Sequence, residues 1–232
     1  MIASKLQQIF ADYSEVLYGY TDISYSPFAK EYQSALVFAV PYEPQLAFDD
    51  YTEQGFEDSI RNARRELEEI LRKLEGALTE EAIKYDIPPV AQRNEEELEA
   101  VFSFKYVAVN AGLGWIGRND VLVTERYGPR VRLSAVLIDA PFVYGSKMTE
   151  SRCPEGCTKC VDICPHKALT GRAWDIHSLR SELIDYHLCN RKRSDYIERH
   201  GRKNACGLCM VVCPYGMEGL SAPQKAAEEE AE

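Results

Sequence analysis

Hydrophobic positions divide the chain into a few readable elements. Residues 4–18 carry Leu6, Ile9, Phe10, Tyr13, Val16 and Leu17 at three- and four-residue intervals, which predicts an amphipathic helix opened by Ser4 and ended by Gly19. Residues 32–41 run almost unbroken through Ala35, Leu36, Val37, Phe38, Ala39 and Val40 to Pro41. Apolar positions without alternation predict a strand covered on both faces. Residues 42–53, with Pro44 and the pair Asp49-Asp50, read as a loop. Phe56, Ile60, Ala63, Leu67, Ile70, Leu71, Leu74 and Leu78 then form one stripe, with Glu, Arg and Lys opposite. The stripe predicts a long helix over roughly 54–85, with Gly76 as a point where it breaks or kinks.

The pattern weakens after Asp86-Ile87-Pro88-Pro89-Val90, which reads as a short extended piece. Asn94 followed by Glu95, Glu96 and Glu97 predicts a capped helix start. Ser103 predicts the cap of a helix over 103–111. Residues 120–126 and 130–139 predict two strands of a hairpin around Tyr127-Gly128-Pro129. Residues 141–149 form a crossing. A short helix closing near Leu169 and Gly171, a helix from Ser178 to about His187 and another through the basic residues complete the reading. Past Pro223 the chain is an acidic, solvated tail.

Composition narrows the class. The 232 residues are 45% hydrophobic and 28% charged, ordinary for a globular chain. No apolar run approaches the roughly 18–20 residues needed to cross a bilayer, so no membrane partner is expected. Met1-Ile2-Ala3-Ser4-Lys5 lacks an apolar signal core, so a cytoplasmic location is expected. The net charge of −10 argues against a general attraction to nucleic acid. Residues 190–203 are the local exception, with six basic residues against two acidic ones. That stretch suits an RNA backbone, an acidic electron donor, a ligand phosphate or a solvated helix face.

The cysteines change the picture most. All eight lie between Cys153 and Cys213. They read Cys153-x3-Cys157-x2-Cys160-x3-Cys164-Pro165, then Cys189, then Cys206-x2-Cys209-x3-Cys213-Pro214. Three close cysteines followed by Cys-Pro resemble the bacterial two-cluster ferredoxins, in which the fourth cysteine of each motif reaches the other cluster. That resemblance implies one 4Fe–4S cluster on Cys153, Cys157, Cys160 and Cys213, and a second on Cys189, Cys206, Cys209 and Cys164. Soft thiolates suit iron. Disulfides conflict with a reducing compartment. Zinc fits the repeated Cys-Pro ending and the isolated Cys189 poorly. The first spacing also matches the radical-SAM signature, but Lys159 stands where that family usually places an aromatic.

Gly112-x-Gly114-x-x-Gly117 matches a dinucleotide-binding pattern as text. It follows a predicted helix and precedes a predicted strand, the reverse of the order that pattern needs, which rejects a Rossmann reading. Two readings of the three glycines around Trp115 stand side by side: backbone pressed against a large flat ligand, or a tight turn anchored by a buried tryptophan. His177 reads as structural and His166 as a residue that tunes a cluster.

The run Ala111-Gly-Leu-Gly-Trp-Ile-Gly-Arg-Asn119, followed by the two cysteine motifs, resembles epoxyqueuosine reductase and its relatives among the reductive dehalogenases, over about Asp86 to Pro214. The resemblance implies an α/β domain holding cobalamin above two 4Fe–4S clusters. It implies that Gly112, Leu113, Gly114, Trp115, Ile116, Gly117, Arg118 and Asn119 bind the corrinoid. Electrons would pass from a donor such as ferredoxin or flavodoxin through the clusters to cobalt. The corrinoid would then remove an epoxide oxygen from a tRNA-bound nucleoside, which makes tRNA a candidate partner. Asp86 resembles the acidic proton donor of the family's Asp-x-x-Pro-Val stretch and is the catalytic candidate. Two departures stand out: three residues rather than two separate Cys153 from Cys157, and Arg118 replaces the usual lysine, changing a point charge into a fork.

The expected fold is therefore α+β. Residues 1–145 would form an α/β corrinoid-binding domain with a small mixed sheet flanked by helices. Residues 146–220 would form a two-cluster ferredoxin-like domain, and residues 221–232 a flexible tail. Beside the corrinoid-dependent reductase stand two alternatives: a cobalamin reductase serving another enzyme, and an electron-transfer protein without its own substrate.

Overall fold

The apolar run of the first third becomes the centre of a sheet. The structure, a computed structural model, describes residues 2–89, 100–191 and 206–217. Strand β2 (Ser34–Pro41) lies between β1 (Leu17–Asp22) and β6 (Val131–Ile138), and β3 (Tyr85–Asp86) completes the order β1-β2-β6-β3. Every neighbouring pair is antiparallel, so the expected mixed sheet is an antiparallel one. All eight residues of β2 are buried, as its unbroken apolarity requires.

The two faces of β2 differ. Leu36, Phe38 and Val40 join a core with Leu6 and Phe10 of α1 (Ile2–Ala11) and Ile60, Ile70 and Leu74 of α2 (Glu53–Glu80). Ala35, Val37 and Ala39 face the opposite core, with Val107 and Ala108 of α3 (Phe104–Asn110). The period-2 alternation of a strand thus becomes an alternation of large and small residues. Each fully buried leucine, valine or phenylalanine contributes about 1.5–3 kcal/mol through removal from water.

Several elements depart from the sequence expectation. The first helix stops at Ala11, and Leu17–Asp22 forms an edge strand instead of the helix end. Pairing of Leu17 with Ala39, and stacking of Tyr18 on Phe10 at 4.1 Å, outweigh local helical spacing there. Helix α2 runs unbroken through Gly76, because that position faces open space, and ends at Glu80. The expected hairpin does not form between the two predicted strands. Instead β5 (Leu122–Val123) pairs with β4 (Trp115–Ile116), a Thr124–Gly128 bridge closes the turn, and β6 joins the main sheet.

The cap assigned to Ser103 is present, its hydroxyl accepting from the Tyr106 amide. Ser178 accepts from the Asp175 amide and braces a turn rather than capping a helix. Helical residues 186–191 start well beyond it. The helix expected at Asn94, most of the basic stretch and the acidic tail lie outside the described residues.

The cysteine-rich segment has little core of its own. Its separate cluster of buried residues is Cys160, Ala168, Leu169 and Ile184. Trp174, Leu183 and Tyr215 enter the α3-side core, while Met210 and Val211 enter the α2-side core. The two halves therefore share both cores.

Candidate metal centre

Helix α4 (Lys159–Asp162) carries Cys160 into the interior, and the short helix Leu208–Val211 carries Cys209. Gly207 opens that second helix at φ 75°, and a Cβ there would lie 2.1 Å from the Phe56 ring. Only glycine admits both the left-handed backbone and the approach to α2. Tyr51 donates its hydroxyl to the Cys206 carbonyl at 2.6 Å, fixing the same loop from the entry to α2.

A small pocket, partly open to solvent, lies among Cys153, Cys157, Cys160 and Cys213. Its wall is completed by Arg118, Asn119, Lys159 and Tyr215. Burial pushes the Cys160 thiol up to about 12, and the neighbouring Cys153, Cys213 and Cys157 add to the rise. Burial likewise pushes Cys213 up to about 11. Cys209 is raised well above the ordinary thiol range by burial, with Cys206, Cys189, Cys160 and Cys164 as its charged neighbours. The eight thiols thus fall into two groups of four, one around Cys160 and one around Cys209, and the groups adjoin at that pair.

The donor set and the space suit a polynuclear cluster. Among the described residues, no three or more Cys, His, Asp or Glu side chains converge tightly enough to hold a single metal ion. A tetrahedral zinc site would bring its sulfurs to about 3.8 Å of one another. Here the thiols surround a volume instead. Arg118 adds a cation to the wall, and its Nε is buried without a partner, a donor available to an anionic group.

The glycine loop is placed differently from the ligand-facing reading. Trp115 and Ile116 lie in β4 with 1% and 4% exposure, and a residue that a cofactor would touch is accessible in the protein alone. A Cβ at Gly114 would stand 2.2 Å from the Val123 carbonyl oxygen, so protein backbone fixes that glycine. Gly117 is hemmed in by Asn119 and Val123, and Gly112 by the Ser146 carbonyl. Leu113 is half-buried against the α3-side core. The tight-turn reading, anchored by a buried tryptophan, describes residues 114–117, while Gly112 is exposed and Leu113 half-buried.

Arg118 and Asn119 do reach the metal centre. Arg118 donates to the Gly171 carbonyl, and Asn119 Nδ2 donates to the Cys209 carbonyl at 3.1 Å. Beside them Asp120, at φ 57° and 5% exposed, is paired with Lys105 of α3 and with Arg180 at 3.2 Å. Asp86 is remote from this arrangement. It pairs with Leu137 near the far end of β6, about seven residues, or roughly 23 Å of strand, from Arg130 at the metal-centre end. His177 is exposed, with its amide on Asp175.

Two residues that sequence reasoning passed over hold the cavity together. Arg130 is 1% exposed and donates to the carbonyls of Tyr215, Cys213 and Val211 at 2.7, 2.7 and 3.0 Å. Tyr215 donates its hydroxyl to the Arg152 carbonyl at 2.7 Å, tying the Cys213 end to the Cys153 end. The sequence signal for Arg130 is weak: a basic residue before a largely apolar strand that also carries Arg132.

Comparison with known proteins agrees with this geometry. Residues 152–216 match the model of a 4Fe-4S double cluster binding domain. The epoxyqueuosine reductase of Bacillus cereus is 30% identical over 170 residues, which cover 71% of this chain and 42% of that protein. A solved epoxyqueuosine reductase with a modified tRNA stem loop superposes with TM-score 0.61 and 17% identity, covering 93% of this chain and 66% of that one. A reductive dehalogenase whose structure suggests B12-dependent dehalogenation superposes with TM-score 0.58 and 19% identity, over 88% of this chain and 30% of that one. The chain spans about half the length of the curated relatives it matches. It is a homologue of the epoxyqueuosine reductases with the fold they share with reductive dehalogenases, and residues 152–216 form its 4Fe-4S double cluster binding domain.

Proposed function

We propose that the chain is an iron–sulfur reductase that relays electrons through two 4Fe–4S clusters, ligated by Cys153, Cys157, Cys160 and Cys213 and by Cys164, Cys189, Cys206 and Cys209. The observation that carries this reading is the gathering of thiols into two adjoining groups, one around a cavity walled by Arg118 and Asn119. The raised thiols mean that cluster assembly must displace protons at Cys160, Cys209 and Cys213. Arg118 and Asn119 place a cation and an amide against the sulfur-rich wall, where they hold the loops closed and limit water. Anaerobic reconstitution followed by iron analysis and electron paramagnetic resonance tests the reading. The expected result is eight irons and two cluster signals per chain; zinc in place of iron overturns it.

The electron acceptor in this proposal is a corrinoid, by analogy with the B12-dependent dehalogenase, and the chemistry it supplies when bound is reductive cleavage. Trp115 and Ile116 are closed off from it, so exposed Gly112 and half-buried Leu113 and Arg118 are the members of that run with surface left to face it. An epoxide carried on tRNA is the substrate suggested by the reductase solved with a tRNA stem loop; ferredoxin or flavodoxin suits the donor role. Adding cobalamin to loaded protein should give a bound corrinoid spectrum. Loaded protein that leaves the free spectrum unchanged supports the electron-transfer alternative, which the closed packing of Trp115 and Ile116 favours.

A further inference from the structure

Arg130 is a buried cation that has no carboxylate. Its guanidinium is enclosed by the sheet and the cysteine segment at 1% exposure, and its four described acceptors are backbone carbonyls: Tyr215, Cys213, Val211 and, at 3.3 Å, Leu46. Carbonyl dipoles offset part of the cost of removing a full charge from water, but a buried charge normally carries a counter-ion as well. Among the described residues none of the ion pairs includes Arg130; they pair other cations. The titratable group that acts on it is the Cys213 thiol, whose own carbonyl it holds at 2.7 Å.

We propose that Arg130 is a positioning residue that, beside Arg118 and Lys159 of the pocket wall, supplies a fixed, fully buried positive countercharge for the cluster held by Cys153, Cys157, Cys160 and Cys213, and so raises the reduction potential of that cluster over its neighbour. The inference rests on the ligand assignment proposed above. Two features separate it from simple bracing. A neutral donor would serve to brace carbonyls, yet the chain buries a permanent charge. The bonds also fall on the Cys213 end and, through Tyr215, on the segment leading to Cys153, while the Cys206 carbonyl is held by the neutral Tyr51. A cluster gains one negative charge on reduction, so a fixed cation nearby favours the reduced form.

The test is a redox titration of the fully loaded chain followed by electron paramagnetic resonance. The signal altered by Cys213→Ser identifies the relevant cluster. Arg130→Gln keeps donors and removes charge. It should lower the reduction equilibrium constant of that cluster at least tenfold, about 59 mV for one electron, and leave the other cluster unmoved. Arg130→Lys keeps charge and loses the fork. It should hold the potential near the parent value while iron is lost faster to a chelator, and it stands in if the glutamine variant fails to load. An unchanged potential in loaded Arg130→Gln, an equal shift of both clusters, or a Lys variant shifted by tenfold or more in the same equilibrium overturns the inference. Absence of two cluster signals in the parent chain overturns the ligand assignment instead.

Discussion

The sheet unit and the cysteine-rich segment are held by opposite means. The sheet unit buries both faces of β2, large side chains on one and small ones on the other, with a 28-residue helix laid across the large-residue face. The cysteine segment buries four residues of its own, lends others to the sheet's cores, and is otherwise fixed by single side chains reaching across: Tyr51, Asn119, Arg130 and Tyr215. Apolar burial is non-directional and scales with area, so the first region depends less on metal chemistry, although Trp174, Leu183, Tyr215, Met210 and Val211 of the cysteine segment complete its cores. A segment with so little apolar area needs directional bonds and metal–ligand bonds to order it, as in other small metal-dependent units.

Removing iron should break the comparison most severely. Chelation of the loaded protein is expected to strip hydrogen-exchange protection from residues 153–191 and 206–217 while β2, β6 and α2 keep theirs. Equal loss in both regions, measured by exchange mass spectrometry, would show that they fold as one unit. Phe38→Ala attacks the other side. Phe38 is fully buried in the α2-side core, and its truncation should cost about 3–5 kcal/mol in denaturant unfolding of the whole chain.

Asp120→Asn probes the seam between the regions. Asp120 is 5% exposed between Lys105 and Arg180. Breaking a fully buried pair costs about 3–5 kcal/mol. The partly exposed cations reduce this to roughly 2 kcal/mol, read as a lowered melting midpoint and easier loss of iron.

A pH series sharpens the difference further. Cys160 and Cys213 titrate at about 12 and about 11 in the folded, cluster-free chain, against an ordinary value of 9.0. Above pH 9 the unfolded chain loses these protons first and so binds fewer, which makes the derivative of stability with pH negative. The cluster-free protein is therefore expected to lose stability between pH 9 and 12, in thermal melts, with Cys160→Ala blunting the loss. Lys5→Ala lies at the small end. Its pairs with Glu80 and Glu81 are exposed and should leave the melting midpoint unchanged within error.

The elements read correctly from sequence are those with strong, local signals. The stripe from Phe56 to Leu78 specified α2, and the run at 34–40 specified a strand covered twice, because both patterns follow from burial alone. The strand at Leu17–Asp22 was missed because its partner, β2, lies elsewhere in the chain. The short pair β4–β5 was missed for the same reason: two residues per strand carry no period. In the glycine run, sequence could name the residues but not their direction. Trp115 turned into the core, whereas Arg118 and Asn119, three and four positions past it, turned toward the thiols.

The order and spacing of the cysteines by themselves determined the chemistry, because a loop with three near-adjacent thiols and a distant fourth has few soft-metal groups it can wrap. Only the tertiary structure decided what surrounds that chemistry. Arg130 lies 83 residues from Cys213 in sequence yet donates to its carbonyl, and Asp86 was carried to the far end of a strand. Charge placement depends on distances through folded space, and those are set by the packing of the sheet's two cores.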